Sequence, residues 1–236
     1  MQKNSTGFIV EPVPGGEFTD AERDSFYRIV ASRRDIRRFR PDPVPEEILG
    51  RILWAAHHAG SVGYMQPWDF ILIRDQNTRA RVKAIFQEIT EAASGCYEGE
   101  RRALYNSLKL EGILEAPLNL CVTCDTTRGG PHVLGRYSIR ETDVYSTCCA
   151  IQNLWLAARA EGLGVGWVSL VDIDRLRDLL GIPPTVIPVA YMCIGYPNEF
   201  LPVPELETAG WRRLRLEDHL HEERWRHRPG PDARGQ

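Results

Sequence analysis

The sequence has no run of about 18 apolar residues, the length that marks a membrane-spanning helix. Its first residues, MQKNSTGFIV, lack the basic segment followed by an apolar one that marks a secretory signal. Net charge is also small, because 29 basic and 32 acidic residues leave a formal charge of −3 over 236 residues. With no basic stripe on any one helix, binding to nucleic acid or to an anionic membrane is disfavoured. We therefore predict a cytoplasmic protein.

Several motifs of hydrolases and metalloenzymes are missing as well. The chain contains no H-E-x-x-H, no G-x-S-x-G and no paired-carboxylate motif. Its six cysteines lie mostly in apolar runs, which is typical of reduced, buried cysteines. Cys121 and Cys124 form a C-x-x-C, but a zinc ribbon needs a second pair, and residues three apart on a strand point to opposite faces. We therefore predict neither a metal site nor redox chemistry at these cysteines.

The hydrophobic pattern predicts one domain in which helices outnumber the strands and separate them, an α+β or α/β arrangement. Helices are predicted at 19–34, 42–60, 77–94, 98–117, 141–162 and 172–182, and strands at 69–75, 118–125, 164–170 and 186–197. The domain is expected to span residues 19–225. An N-terminal extension at 1–18 precedes it, and a flexible tail rich in charge, proline and glycine occupies 226–236.

The segment SRRDIRRFRP, from Ser32 to Pro41, places five arginines around Asp35. A guanidinium group is a rigid fork of donors that suits phosphate groups and carbonyl edges, and a carboxylate among such groups would stay ionised. A ligand site is one interpretation of this segment. A solvated basic turn at the end of a helix is the other, and these residues alone do not decide between them.

A second candidate segment is AGSVGYMQPWDF, from Ala59 to Phe70. Its glycines loosen the backbone after a helix, Gln66 offers both a donor and an acceptor, and Pro67 stiffens the backbone that leads into the next strand. Such a loop is suited to present amide groups to the edge of a heterocycle. A plain helix-to-strand connection fits the same residues equally well.

The glycines of GLGVGW, from Gly162 to Trp167, do not form a dinucleotide-binding fingerprint. They follow a helix and enter a strand, whereas the fingerprint leaves a strand and opens a helix. We expect them to turn the chain and to let the strand approach something flat. His57 and His58 are adjacent on a predicted helix, so their rings face different directions, and at least one of them is expected to be packed or solvated.

In their order and spacing, SRRDIRRF, SVGYMQPWDF, GLGVGWVS and GWRR resemble the FMN-dependent nitroreductase family, from about Thr19 to Trp225. The resemblance implies an α+β fold with a central mixed or antiparallel sheet surrounded by helices. It also implies a homodimer with FMN between the subunits. The apolar helix from Asp143 to Arg159 fits either a dimer seam or a buried core helix. The residues that the resemblance implies for flavin binding are Arg33, Arg34, Asp35, Ile36, Arg37, Ser61, Gln66, Pro67, Leu110, Gly166, Trp167, Val168, Ser169 and Arg212.

Longer strings, among them LYNSLKLEGI and YSTCCAIQNLWLAARAEGLGVGWVS, are similar to one branch of that family, the flavin destructases. Family members that shuttle hydride typically carry a serine where this chain has Asp35. The branch implies that reduced FMN is the substrate, that O2 is the co-substrate, and that a separate flavin reductase supplies the reduced FMN. The implied products are 5,6-dimethylbenzimidazole, for the lower ligand of cobalamin, and D-erythrose 4-phosphate.

The same resemblance assigns catalytic roles to Asp35 and Ser169. A positioned carboxylate is a suitable base for removing protons from the ribityl chain, and Ser169 is suited to hold a hydroxyl or peroxide group by hydrogen bonding. The segment at 99–112, GERRALYNSLKLEG, looks like one that folds over the flavin and excludes bulk solvent and NAD(P)H. Plainer interpretations are a strand-end serine satisfied by backbone and an amphipathic surface helix. Arg38 and Arg40 receive no role.

Two other functions stay open at this point. The first is a NAD(P)H-dependent nitroreductase or flavin reductase that keeps FMN tightly bound, although Asp35 and the covering segment at 99–112 argue against it. The second is a flavin carrier without catalytic activity, which predicts high affinity for oxidised FMN and no turnover. The consumption of reduced FMN distinguishes the destructase interpretation from both.

Overall fold

The structure is a computed structural model that describes residues 16–211 and 216–225 of the chain. The predicted tail at 226–236 lies outside these residues, as does most of the predicted N-terminal extension. The described residues up to Pro202 form one compact unit, and the described residues from Val203 onward form a second. The helices are α1 (Asp20–Ser32), α2 (Glu46–His57), α3 (Gln76–Ser94), α4 (Gly99–Ser107), α5 (Thr142–Ala160), α6 (Ile173–Leu180) and α7 (Glu205–Thr208), with short 3₁₀ turns at Val62–Tyr64 and Leu216–His219. The strands are β1 (Trp68–Ile73), β2 (Leu118–Asp125), β3 (Gly164–Val168) and β4 (Val186–Gly195).

The four strands form one sheet in the order β1-β2-β4-β3, and every neighbouring pair is antiparallel. β2 lies inside the sheet and is buried along its whole length except at Asp125. The pairing of β2 with β4 shifts between Val122 and Thr123, which marks a β-bulge. The predicted α+β class with a central sheet is therefore confirmed. Of the two kinds of sheet that were predicted, mixed and antiparallel, the structure has the antiparallel one.

Helices cover both faces of the sheet, as an interior strand buried on both sides requires. On one face α2 and α5 contribute Ile52 and Leu154 to a core that includes Leu120 of β2. On the other face α3 and α6 contribute Phe86 and Leu176 to a second core. Since α5 buries residues along its whole length, the core-helix interpretation of that segment is confirmed for a single chain.

α1 lies on the surface of the unit. It begins at a capping box in which the Thr19 hydroxyl accepts from the Glu22 amide and the Glu22 carboxylate accepts from the Thr19 amide. None of its residues is buried, and Phe26, Tyr27 and Val30 are 54%, 66% and 42% exposed. The helix therefore presents an apolar surface that a single chain leaves in solvent.

Within residues 16–211 and 216–225, no helix is both long and apolar enough to cross a membrane. The same described part of the chain holds no group of three or more His, Cys, Asp or Glu side chains placed to bind a metal ion. Cys121 lies in the core shared with α3 and α6, whereas Cys124 contacts Thr147 of α5. The two thiols thus face opposite sides of the sheet, and both are free.

Candidate active site

Asp35 lies in an extended segment beside β3, three residues after the end of α1. The segment pairs with β3 through a parallel bridge to Val165, and the Ile36 amide donates to the Val165 carbonyl at 3.0 Å. One carboxylate oxygen of Asp35 accepts from the Trp167 amide at 2.9 Å, and the other accepts from the Arg37 guanidinium. The carboxylate is therefore held in one orientation by a backbone donor from β3 and by an ion pair from its own segment.

Two glycines of β3 make this approach possible. A Cβ at Gly166 would sit 2.1 Å from the carbonyl oxygen of Ile36, and a Cβ at Gly164 would sit 2.7 Å from the Ile36 side chain. Both distances are shorter than real Cβ contacts, so neither position accepts a larger residue without movement. In this structure the close neighbour of the β3 glycines is the backbone that carries Asp35.

The arginines of the segment have different environments. The Arg33 guanidinium lies 4.7 Å from the ring centre of Trp155, and burial lowers the pKa of Arg33. The Arg34 guanidinium donates to the carbonyls of Ala31, Arg33, Leu201 and Pro202, so its known bonds are to backbone. These two positions are suited to different tasks: Arg33 stacks beside the Asp35 segment, whereas Arg34 ties chain segments together.

The three arginines that follow Asp35 also differ from one another. The Arg37 side chain is 11% exposed and that of Asp35 is 28% exposed, so their ion pair is largely shielded from water. Arg38 is exposed. Arg40 pairs with Asp42 and lies over the ring of Tyr196. Arg37 therefore forms a shielded ion pair with the Asp35 carboxylate.

The segment after α4 packs against the same place. A Cβ at Gly112 would lie 2.9 Å from the Arg37 carbonyl oxygen and 2.6 Å from the ring of Phe39. Glu111 fixes this turn, since its carboxylate pairs with Lys83 of α3 and accepts from the Ile113 amide at 2.6 Å. Of the helix predicted at 98–117, only residues 99–107 are helical, and residues 108–117 form an irregular turn.

Leu110 and Ser169 lie at the borders of this group. Leu110 is partly buried against the core that contains Ile36. Ser169 follows β3 directly and is exposed, whereas Val168 before it is buried. Arg212, the remaining basic residue implied by the family resemblance, lies outside the described residues. The described part of the first group therefore comprises Arg33, Asp35, Ile36, Arg37, Leu110, Gly166, Trp167, Val168 and Ser169.

Ser61, Gln66 and Pro67 form a second group in the loop before β1. The Ser61 hydroxyl accepts from the Gln66 amide at 3.2 Å, and the Gln66 side-chain amide donates to the carbonyl of His57 at 3.2 Å. Gly63, Tyr64 and Gln66 all have positive φ angles, of 58°, 53° and 44°. Such angles in residues other than glycine cost energy and persist only where the surroundings fix the loop.

Two arginines that were not predicted from the sequence fix this loop. Arg128 donates to the carbonyls of Gln66 and Trp68 and forms a bidentate pair with Asp69. Arg136 contacts the Met65 sulfur and pairs with the buried Asp143 at 2.9 Å. Both arginines stand in the irregular, glycine-rich stretch between β2 and α5, and no local pattern marks them.

The two groups lie apart within one chain. β1 and the Asp35 segment are at opposite edges of the sheet, four strand spacings or about 19 Å from each other. α5 gives a second measure: Ser146 binds the Val62 amide and Trp155 binds the Arg34 carbonyl, and nine residues of helix separate them by about 14 Å. The structure therefore brings the predicted site residues together as two clusters.

No histidine or cysteine is among the predicted site residues, although the His57 carbonyl accepts from the Gln66 side chain and Cys193 pairs with Gly166 across β3 and β4. The His57 ring accepts from the Trp68 indole, and the His58 ring stacks on Trp54, so the two rings do face different directions. Burial raises the pKa of Cys121 to about 12, and it raises the pKa of Cys193 as well. Thiols with raised pKa values stay protonated and are poor nucleophiles.

Comparison with known proteins places this geometry in a family. A model of the nitroreductase family matches residues 30–196. The chain is 44% identical to 5,6-dimethylbenzimidazole synthase of Rhodospirillum rubrum over 201 residues, which cover 85% of this chain and 95% of that protein. It is 42% identical to 5,6-dimethylbenzimidazole synthase of Rhodobacter capsulatus, over 83% of this chain and 94% of that protein.

Solved structures show the same fold at lower sequence identity. Iodotyrosine deiodinase bound to FMN and 3-iodo-L-tyrosine superposes with a TM-score of 0.64 at 22% identity, covering 75% of this chain and 92% of that one. The NADPH:FMN oxidoreductase of Vibrio harveyi superposes with a TM-score of 0.61 at 19% identity, covering 86% and 79%.

The chain belongs to the nitroreductase family. Within that family it is similar to the 5,6-dimethylbenzimidazole synthases, so the likeness to the flavin-destructase branch predicted from the sequence is confirmed.

Proposed function

We propose that this chain is a 5,6-dimethylbenzimidazole synthase, which uses O2 to fragment reduced FMN into 5,6-dimethylbenzimidazole and D-erythrose 4-phosphate for the lower ligand of cobalamin. Identities of 44% and 42% to two synthases over most of the chain support the assignment. The structural observation that carries it is the oriented carboxylate of Asp35. A residue fixed by the Trp167 amide and by Arg37 is placed to act as a base, a role that the serine of hydride-shuttling members does not fill.

The residues around Asp35 fit a flavin in their donor chemistry. Arg33 and Arg37 supply guanidinium groups suited to phosphate and carbonyl oxygens, and the turn at Leu110 supplies an apolar wall. Bound reduced flavin would supply the electrons that O2 accepts and the carbon skeleton of the product. Asp35 would take a proton from the ribityl chain, and the exposed hydroxyl of Ser169 would hold an oxygen atom by hydrogen bonding.

The reduced flavin comes from a separate reductase in this proposal. The glycine-rich GLGVGW segment enters β3 from α5 instead of leaving a strand for a helix, so the chain offers no dinucleotide fingerprint there. The turn at 108–113 packs onto the Arg37–Phe39 segment and would shield the flavin from NAD(P)H.

A homodimer with the site between the subunits completes the proposal. Ser61 and Gln66 stand at the edge of the sheet opposite Asp35, so a second copy is the natural source of that half of the site. α1 leaves Phe26, Tyr27 and Val30 exposed, and α5, which packs against it, exposes Tyr145 and Cys149 at helical spacing. Apolar surface of this kind is typical of subunit interfaces.

The direct test mixes the purified protein with chemically reduced FMN in air and measures 5,6-dimethylbenzimidazole by chromatography against reduced FMN alone. We expect product above that control, and we expect Asp35→Asn to abolish it and Ser169→Gly to reduce it. Recovery of oxidised FMN alone would refute the synthase proposal. Steady oxidation of NAD(P)H would then indicate a nitroreductase, and tight FMN binding without turnover a flavin carrier.

The composite site has its own test by complementation. Asp35→Asn and Gln66→Ala are first shown to be inactive as separate homodimers and are then co-expressed. If the two residues meet across the interface, each mixed dimer contains one intact site, and random pairing restores about a quarter of wild-type activity. If both residues of a site come from one chain, mixed dimers contain only defective sites and no activity returns.

A further inference from the structure

A cavity opens beside Ser169, where β3 separates from β4. The two strands pair from Gly164 opposite Gly195 as far as Val168 opposite Tyr191, and β4 continues beyond that point without β3. The stretch 188–190 of β4 therefore borders a gap of about 210 Å³, which α6 closes from the other side. Pro188 suits this unpaired position because it has no amide hydrogen to satisfy.

The walls of this cavity are apolar. Val168, Leu176, Ala190 and Tyr191 are each no more than 3% exposed and form its floor. None of the described residues that line it is charged. The hydroxyl of Tyr191 accepts from the Asn119 amide, and burial raises the pKa of Tyr191, so this group stays neutral and engaged.

The mouth of the cavity offers one polar side chain, the exposed Ser169, beside Ile173 at 40% exposure. A ligand inside would therefore meet apolar walls, the rings of Trp167 and Tyr191, and a single hydroxyl that can donate or accept. A charged ligand would lose its hydration here without a partner for its charge. The lining thus selects a neutral, flat molecule with one hydrogen-bonding atom at its edge.

The volume of the cavity limits the size of the ligand that it can hold. Pockets for drug-sized ligands and cofactors usually measure about 300–1,000 Å³, so a cavity of 210 Å³ is too small for a whole flavin mononucleotide. Apolar cavities of about 150 Å³ hold a single benzene ring. The space beside Ser169 therefore matches one or two fused rings.

We propose that this cavity binds a neutral, fused bicyclic aromatic molecule whose ring nitrogen is hydrogen-bonded to Ser169. This is the chemistry of the benzimidazole released in the proposed reaction, so the inference rests on the proposed function and adds a product subsite to it. Ser169 borders both the candidate flavin site and this cavity, which gives the aromatic product a short path out of the first and into the second.

The test measures binding of 5,6-dimethylbenzimidazole to the full chain by calorimetry, without FMN and at mildly alkaline pH, where the ligand is neutral. Ile173→Phe replaces an aliphatic side chain at the mouth by a ring, and Leu72→Phe likewise replaces an aliphatic side chain by a ring at an equally exposed position on β1. We expect Ile173→Phe to weaken binding about tenfold or more and Leu72→Phe to leave it unchanged. Methyl NMR signals of Val171, Ile173 and Leu176 should shift on binding.

Equal affinity of the Ile173→Phe and Leu72→Phe variants would overturn the proposal, as would an absence of binding or methyl shifts confined to other residues. Complete displacement of the ligand by oxidised FMN would also overturn it, because the cavity would then be part of the flavin site. Binding needs no turnover, so a chain that makes the benzimidazole without binding it here refutes the subsite alone. A chain that binds it here but makes none refutes the synthase proposal alone.

Discussion

Gly166 holds β3 and the Asp35 segment at a separation that no other residue permits. A Cβ at this position would lie 2.1 Å from the Ile36 carbonyl oxygen, and no side-chain rotation can relieve the clash, because the oxygen is a backbone atom and the backbone fixes the position of a Cβ. The clash is relieved only if β3 and the Asp35 segment move apart. Separation would stretch the bond from the Ile36 amide to Val165, at 3.0 Å, and the bond from the Trp167 amide to Asp35, at 2.9 Å.

The cost of Gly166→Ala can be worked out from these contacts. Overpacking of a fitted interior costs about 1–3 kcal/mol, and weakening a hydrogen bond to a charged acceptor costs about 1.5–3 kcal/mol. The two costs overlap because movement that relieves the first produces the second. We therefore expect the free energy of unfolding to fall by about 3 kcal/mol and the orientation of Asp35 to be lost.

The assay compares urea unfolding of Gly166→Ala with that of Gly60→Ala, and then product formation from reduced FMN by both variants. Gly60 is the matched control, because a Cβ there would meet no atom within 4 Å and its φ angle lies outside the left-handed region. We expect this control to be neutral or stabilised by up to about 1 kcal/mol. If both variants unfold at the same urea concentration and form product equally, the packing argument for Asp35 is wrong.

Two further predictions concern thiols and pH. Iodoacetamide at neutral pH should modify the exposed Cys96 in the folded chain and leave Cys121 and Cys193 unmodified until the chain unfolds, because burial raises the pKa values of these two thiols. Peptide mass spectrometry measures which cysteines are modified. Labelling of Cys193 before unfolding would contradict the prediction. Arg51 donates to both oxygens of Glu161, at 2.6 and 2.7 Å, and holds the pKa of Glu161 below its ordinary value. The pair therefore stabilises the fold above the ordinary glutamate pKa, and this contribution is lost as pH falls toward the depressed value. Glu161→Gln should lower the free energy of unfolding by about 1–2 kcal/mol at neutral pH and by less in acid, and a difference independent of pH would contradict the reasoning.

Most helices and strands were predictable because their determinants are local. Thr19 and Glu22 form a capping box within one turn, and Asp172 caps α6 while Gly181 ends it in the left-handed region. The helix predicted at 98–117 is the main error. Its second half is held as a turn by Glu111, which contacts Lys83 of α3, a partner that no local pattern identifies.

Which residues belong to the candidate flavin site was predictable only through the resemblance to the nitroreductase family. The bond between the Trp167 amide and Asp35 joins residues 132 positions apart, and nothing in either local sequence encodes it. The glycines of β3 indicated a close approach, yet the structure alone identifies the Ile36 backbone as the group that approaches.

The sequence by itself determined where most elements lie and which residue types are available for chemistry, because capping, periodicity and donor chemistry act over a few residues. The tertiary structure decided which residues meet. Strand order β1-β2-β4-β3 places Gln66 and Asp35 at opposite edges of one sheet, although both stand in the first third of the chain. Strand order depends on long-range pairing energies summed over the whole sheet, so within one chain it separates two residues that the family resemblance assigned to the same flavin site.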